Sequence, residues 1–293
     1  YQNLIVSPFG NEMTFEMAKR AIKEEEFGVD TIPDLLAVSF SSLDLAGHSY
    51  GPHSIEVHDM ILRLDRQLAD FLNYIRLHIP GGLDSVTIVV TADHGVAPLP
   101  EWAESSMKLS AGRVSGKDIA RAATDALAAH FPNAQTAGLV SGFSDPWLFF
   151  NQPVLLAAGI DAAEARKVVS EEVCSLPGIY TAYTRDEIST GRLPLAPLSH
   201  RVTNGFHPRR SGDVICLFLP FWRAGNNAGS TSHGVHYNYD THVPIVFAGA
   251  GITPGKHTEK VDVRDIAPTL SLILGIPQPS SSEGRILEAA AEQ

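Results

Sequence analysis

The run DSVTIVVTAD at residues 84–93 is the feature that most constrains the fold. It is rich in β-branched residues and apolar at successive positions, a pattern typical of a strand buried on both faces of a sheet. A similar run, IPDLLAVSFSS, precedes it at 32–42. Apolar residues at helical spacing separate the two runs, behind the candidate N-cap Ser54: Val57, Met60, Ile61, Leu64, Leu68, Phe71, Leu72 and Ile75. Strand, long helix and strand predict a βαβ unit and an α/β core.

Similar patterns return near the end of the chain. DVICLFLP at 213–220 and VPIVFAGAG at 243–251 are again typical of buried strands. A last helix is predicted to begin at the candidate N-cap Asp265 and to end at Gly275. These elements extend the predicted core.

The region between the two parts of the core has a different pattern of predicted secondary structure. It mixes predicted helices at 116–131 and 161–175 with a β-like stretch at 137–150. We therefore predict an α/β core over 1–95 and 213–293, interrupted by an α+β insertion over 96–212.

Charge and hydropathy exclude several partners. The formal net charge is −11, which argues against a nucleic acid polymer or an anionic membrane surface, because both favour net basic proteins. No apolar run approaches the roughly 18–20 residues that span a bilayer. The only two cysteines, Cys174 and Cys216, are expected to be buried thiols, with a single disulfide as the alternative.

Paired acidic and imidazole side chains follow the strand patterns. Asp93 and His94 end the run at 84–93, and the chain then turns on Gly95; Asp44 and His48 follow the run at 32–42. Ligands collect beyond the carboxyl ends of strands in open α/β sheets. Either pair alone is common in solvated turns, but their recurrence predicts a metal centre.

A third cluster supplies further imidazoles. TSHGVHYNYDTHVP at 231–244 holds His233, His236 and His242 just before a predicted core strand. Mixed carboxylate and imidazole ligands suit zinc, manganese or iron, whereas calcium and magnesium prefer oxygen ligands. The other histidines are expected to be surface or capping residues: His53, His58, His78, His130, His200, His207 and His257.

The order of these motifs resembles a known family. DLLAVSFSSLDLAGHSYGP, VTADHG, TSHGVHYNYDTHVPIVFAGAGI and VDVRDIAPTLSLILGIPQPSSSEGR are similar to the alkaline phosphatase superfamily, in its type I phosphodiesterase/nucleotide pyrophosphatase branch and the bacterial single-chain alkaline phosphatases near it. The resemblance covers 5–95 and 211–288 well. It implies a three-layer α/β/α sandwich with a mostly parallel central sheet.

The resemblance also implies a two-zinc site, with manganese as a weaker alternative. By motif, Asp44, His48 and His233 would hold one ion, with His242 as the competitor of His233; Asp93 and His94 would hold the second. Family members complete the site with an aspartate and a threonine or serine nucleophile near their amino terminus. No residue of 1–43 fits either role, so we expect the nucleophile upstream, in an amino-terminal portion of the same protein.

The expected function is hydrolysis of a small phosphate ester, a monoester by preference, through a phospho-enzyme intermediate. Phosphodiesterase or nucleotide pyrophosphatase activity is the alternative, and a non-catalytic metal-binding remnant is the alternative from another class. A cofactor-independent phosphoglycerate mutase fits less well, because the region around 96–232 does not match its pattern. A sulfatase also fits less well, because it would need a modified cysteine or serine nucleophile and a calcium-type site. The resemblance implies a periplasmic or secreted protein.

Overall fold

The computed structural model describes residues 2–290. The chain forms two compact units, the first from Tyr1–Val96 and Tyr239–Gln293 and the second from Ala97–Asn238. No helix among the described residues is long and apolar enough to span a bilayer.

The helices and strands are numbered in chain order. The helices are α1 (Gln2–Ile5), α2 (Pro8–Glu24), α3 (Ser42–Tyr50), α4 (Ile55–His78), α5 (Pro100–Met107), α6 (Gly116–His130), α7 (Gln152–Ala157), α8 (Ala162–Val173), α9 (Arg185–Ser189), α10 (Pro197–Gly205), α11 (Asn238–Thr241) and α12 (Ile266–Leu274). The strands are β1 (Thr87–Thr91), β2 (Gly112–Val114), β3 (Val140–Ser144), β4 (Trp147–Phe150), β5 (Ile179–Thr184), β6 (Val214–Phe218), β7 (Trp222–Ala224) and β8 (Ile245–Gly249).

The first unit combines a two-stranded ladder with packed helices. Strands β1 and β8 are antiparallel, with Thr87 opposite Gly249 and Thr91 opposite Ile245. Helices α2 and α3 contact the long helix α4. The helical core contains Ala46, Val57 and Met60, all nearly inaccessible to solvent.

The second unit is built on a four-stranded antiparallel sheet in the order β3-β4-β6-β5. Every residue of β6 is buried, because β6 lies between two neighbours and contributes to hydrophobic clusters. Helices α6 and α8 cover the larger cluster, with Ile119, Leu127 and Val169 fully buried. A short parallel pair, β2 and β7, completes the unit.

Several sequence-based expectations are confirmed. Ser54 caps α4, since its hydroxyl accepts a hydrogen bond from the Val57 amide, and Gly275 ends α12 in the left-handed conformation with φ of 64°. The predicted strands at 213–220 and 243–251 contain β6 and β8. The predicted helices at 116–131 and 161–175 correspond to α6 and α8.

The predicted strand at 32–42 is wrong. Residues 33–40 form no strand with any described residue, and α3 begins at Ser42. A strand is stabilised by hydrogen bonds to a neighbouring strand, and no described strand pairs with this segment. Two apolar residues of the segment, Leu35 and Leu36, are consequently 73% and 36% exposed.

The position of β6 also differs from the sequence-based domain limits. We expected residues 213–220 in the core, but β6 pairs with β4 and β5 in the second unit, and the division falls after Asn238. Asp265 does not cap α12 with its side chain; it closes a capping box with Asp262 one turn earlier and accepts a hydrogen bond from the Arg285 amide.

The cysteines are both free thiols, and only Cys216 is buried. Burial raises the pKa of the Cys216 thiol well above its ordinary value. Cys174 is exposed, which corrects the expectation of two buried thiols, and its sulfur accepts a hydrogen bond from the Ala182 amide.

Two adjacent leucines test the core of the second unit. Leu155 is 2% exposed and its neighbour Leu156 is 83% exposed, on the same short helix α7. We expect Leu155→Ala to lower the free energy of unfolding by about 2–5 kcal/mol, because it leaves a cavity, and Leu156→Ala to change it by about 0.5 kcal/mol or less.

Urea unfolding followed by tryptophan fluorescence measures this difference. All three tryptophans, Trp102, Trp147 and Trp222, belong to the second unit, so the signal reports that unit. Equal losses for the two variants would contradict the packing described for α7.

Candidate metal-ligating residues

Helix α3 carries the first Asp/His pair on one face. Asp44 and His48 are four residues apart, and the distance from His48 Nε2 to Asp44 Oδ1 is 3.4 Å. Residues at this spacing lie one above the other on a helix. Asp44 lies in the first turn and His48 in the last, so the helix dipole favours the charge of the carboxylate. Both side chains are about one-third exposed, at 34% and 30%, and remain accessible to an ion.

The second pair lies just beyond the end of β1. The distance from His94 Nε2 to Asp93 Oδ2 is 3.4 Å, and the His94 amide donates a hydrogen bond of 3.1 Å to Asp93 Oδ1. Nδ1 of His94 lies 2.9 Å from the Gly95 carbonyl oxygen. A proton on Nδ1 satisfies this contact and gives Nε2 the lone pair that a metal ligand requires.

Gly95 allows the turn after this pair to pack tightly. Its amide donates a 2.7 Å hydrogen bond to the Asp240 carbonyl oxygen. A Cβ atom at this position would lie 2.1 Å from the carbonyl oxygen of Tyr239, far inside van der Waals contact. Only glycine therefore fits, and its presence holds the 93–95 turn against the segment before β8.

Helix α3 and the second pair are neighbours within the first unit. A Cβ atom on Gly47, which is buried in α3, would lie 3.4 Å from a methyl carbon of Val96. Val96 lies two residues after His94 and three after Asp93. The first unit thus brings the predicted ligand pairs to the same region.

The third cluster is divided between the units. His233 and His236 belong to the second unit, whereas His242 follows α11 in the first and is exposed. Burial, followed by the positive charge of Arg201, lowers the pKa of His236, so its imidazole is held neutral. The choice of His233 over His242 stays a prediction.

Several histidines expected to have structural roles make local contacts. His130 Nε2 lies 3.0 Å from a carboxylate oxygen of Glu164, and His78 Nδ1 lies 2.9 Å from the Tyr74 carbonyl oxygen. The His207 ring accepts a hydrogen bond from the Arg209 amide. Such contacts are typical of surface and turn histidines.

Contacts that sequence analysis did not predict hold the segment before His233. Thr231 donates to the Ala97 carbonyl oxygen at 2.9 Å, and the Ala97 amide donates to the Ser232 carbonyl oxygen at 3.2 Å. Arg113 donates to the Ser230 carbonyl oxygen at 2.8 Å. These partners are separated by more than 100 residues, and no local pattern indicates such contacts.

Comparison with known proteins places the chain in a family. The pattern of the type I phosphodiesterase / nucleotide pyrophosphatase family matches residues 5–242. The chain belongs to this family, as the resemblance of its motifs predicted.

Individual relatives include bacterial alkaline phosphatases. Alkaline phosphatase PafA of Elizabethkingia meningoseptica is 33% identical over 95% of this chain and 50% of its own length. A protein named calcium-transporting ATPase from Myroides odoratus is 34% identical over 100% of this chain and 53% of its own length. The chain therefore spans about half the length of these relatives.

A crystal structure of wild-type alkaline phosphatase PafA matches the fold. It superposes with a TM-score of 0.89 at 32% identity, covering 98% of this chain and 54% of PafA. The chain thus has the alkaline phosphatase-like α/β fold predicted from the motifs.

Gly95 provides a test of the turn that carries Asp93 and His94. We expect Gly95→Ala to destabilise the protein by about 1–3 kcal/mol, because the added methyl group overpacks against the chain before β8. Circular dichroism during thermal unfolding measures the loss.

Gly205→Ala is the matched control. A Cβ atom there meets nothing within 4 Å, so the melting temperature should be unchanged or slightly raised. If Gly95→Ala were as stable as the control variant, the close approach to Tyr239 would be refuted.

Proposed function

We propose that the protein containing this chain hydrolyses phosphate esters, with a preference for monoesters, at a site that includes two divalent metal ions. The observation that carries this proposal is the two Asp/His pairs of the first unit, on α3 and after β1, in a chain of the type I phosphodiesterase / nucleotide pyrophosphatase family. The alkaline phosphatase named among the relatives supports the reaction class. The transport activity in the name of the Myroides relative receives no comparable support from the site.

The donor atoms fit zinc. Carboxylate oxygen and imidazole nitrogen are its usual ligands in catalytic sites, and manganese is the weaker alternative. Asp44, His48 and His233 hold one ion, and Asp93 and His94 contribute to the second. Bound zinc supplies Lewis-acid stabilisation of the negative charge that develops on phosphoryl and leaving-group oxygens.

The residues of this chain orient the metal-ligating side chains and balance the charge of the metal ions. The Gly95 carbonyl fixes the ring of His94 with Nε2 available, and the carboxylates of Asp44 and Asp93 compensate the cations. The proposed nucleophile is a threonine or serine in an amino-terminal portion of the same protein, as the resemblance of the motifs implies. Its hydroxyl oxygen would attack phosphorus while the P–O bond to the leaving group breaks, so that the alcohol leaves and a phospho-enzyme forms. Water would then attack the phosphorus of the phospho-enzyme, which releases inorganic phosphate and restores the hydroxyl group.

Substrate and location follow from the same proposal. The substrate is a small phosphate monoester, and the site acts in the periplasm or outside the cell. The family includes phosphodiesterases and nucleotide pyrophosphatases, so diester hydrolysis is the alternative. Parallel assays with p-nitrophenyl phosphate and bis(p-nitrophenyl) phosphate on the complete protein separate the two.

Zinc content tests the second ligand pair. We expect Asp93→Asn to lower the zinc bound by the reconstituted 293-residue chain, because the amide is a much poorer ligand than the carboxylate. Asp70→Asn makes the same chemical change at an exposed position of α4 and should leave zinc content unchanged. Metal analysis after gel filtration gives the stoichiometry. Identical zinc content in both variants and the wild type would remove Asp93 from the site.

Turnover tests the location of the nucleophile. The 293-residue chain should hydrolyse p-nitrophenyl phosphate at a rate close to the zinc-only background, even when it binds zinc. Robust turnover that is lost on chelation and restored by zinc would show that the nucleophile lies within this chain. A chain that binds no zinc at all would instead support a non-catalytic remnant.

A further inference from the structure

The loop that carries His233 is fixed at both ends within the second unit. Before His233, the carbonyl oxygens of Ser230 and Ser232 accept hydrogen bonds from Arg113 and Ala97. After it, the His236 carbonyl oxygen accepts a hydrogen bond from Arg201, and the Tyr237 hydroxyl donates to the Phe218 carbonyl oxygen at 2.8 Å. These bonds define the clamped loop, residues 230–237.

Arg113 links the clamped loop to a carboxylate of helix α5. Its guanidinium donates two parallel hydrogen bonds to the carboxylate of Glu101, at 2.7 and 2.8 Å. The same nitrogen that makes the second of these bonds, Nη2, also donates to the Ser230 carbonyl oxygen at 2.8 Å. Only 12% of the Arg113 side chain is exposed, so the guanidinium is largely shielded from water. Two-bond pairing of this kind fixes direction as well as distance.

The surroundings of Arg113 hold it rigidly. It is the central residue of β2, and its partner across the parallel ladder is Arg223 of β7. The neighbouring Gly112 packs against the Trp222 ring, with the position of a Cβ atom only 2.7 Å from a ring carbon. Hydrogen bonds from Arg113 hold the pKa of Glu101 below its ordinary value, so Glu101 is ionised at neutral pH and balances the adjacent arginines.

We propose that Arg113, held by Glu101, is a positioning residue that fixes the clamped loop and thereby orients the imidazole of His233 for metal binding. This inference rests on the proposed function, since it takes His233 as a metal ligand. It gives the second unit a role in orienting a candidate metal ligand, because Glu101 of α5 and Arg113 of β2 hold the loop that carries His233. Partners that orient a ligand in this way typically change metal affinity by about 10- to 100-fold.

A lysine cannot replace Arg113 in this role. The planar guanidinium presents several donors in a fixed geometry, whereas an ammonium group is a point charge on a flexible stem. Lysine keeps the charge but not the simultaneous contacts with Glu101 and Ser230. Arg113→Lys therefore separates orientation from charge.

The experiment compares zinc affinities in the 293-residue chain. Competition with a chromophoric chelator gives the affinities of the wild type, Arg113→Lys, Arg113→Met, Glu101→Gln and His233→Ala. The control is Arg121→Met. Arg121 pairs with Asp118, and 70% of the Arg121 side chain is exposed. We expect both Arg113 variants to weaken zinc binding about 10- to 100-fold, with a smaller loss for Glu101→Gln and none for Arg121→Met.

Two further measurements distinguish orientation from general loss of structure. Tryptophan fluorescence establishes that the second unit of each variant is folded at the assay temperature. Hydrogen exchange in the metal-free protein should show faster exchange within 231–236 for Arg113→Lys than for the wild type. The visible spectrum of bound cobalt should change in Arg113→Lys, because the ligand geometry changes.

The outcomes separate this inference from the function on which it rests. If His233→Ala weakens binding but folded Arg113→Lys and Arg113→Met bind zinc as the wild type does, the positioning role is refuted and the metal assignment stands. If His233→Ala binds zinc as tightly as the wild type, the ligand assignment and the positioning role both fail. Weakening in the Arg113 variants equal to that in Arg121→Met would also overturn the inference.

Discussion

The antiparallel ladder between β1 and β8 determines the position of the turn that carries Asp93 and His94. Thr91 at the end of β1 lies opposite Ile245 at the start of β8. Antiparallel pairing therefore places the residues after β1 and those before β8 at one edge. Beyond the ladder, the two segments remain close, because the Gly95 amide donates a 2.7 Å hydrogen bond to the Asp240 carbonyl oxygen. A shift of register by one residue would move these segments apart and turn each side chain to the opposite face.

The parts of the fold that were predictable depend on short-range patterns. Ser54 at the start of α4 and Gly275 at the end of α12 are local signals, and both are confirmed. The strand predicted at 32–42 was wrong because the sequence favours a strand, but a strand also requires a neighbouring strand to pair with. Likewise, the sequence of β6 indicates a buried strand but does not say which strands flank it.

The candidate site was predictable to the same extent. Asp93 and His94 are adjacent in sequence, and Asp44 and His48 are one helical turn apart, so each pair is visible without a structure. The clamped loop was not visible, because Arg113 meets Ser230 across 117 residues. The sequence thus identifies candidate metal ligands, whereas the groups that hold the candidate ligands in place emerge only from the fold.

Ion pairs in the second unit show how side chains that hold other groups in place are themselves stabilised. Arg166 donates to Asp186 and to the nearly inaccessible Asp213, and Asp213 also accepts hydrogen bonds from the Phe150 amide and from Gln152. A buried charge is tolerated only when its partners replace the lost water. The Arg113–Glu101 pair follows the same principle, except that Arg113 also donates a hydrogen bond to the backbone of the clamped loop. A chain with net charge −11 thus presents exposed carboxylates to solvent, while two arginines of the second unit, Arg113 and Arg166, are largely shielded from water and pair with carboxylates.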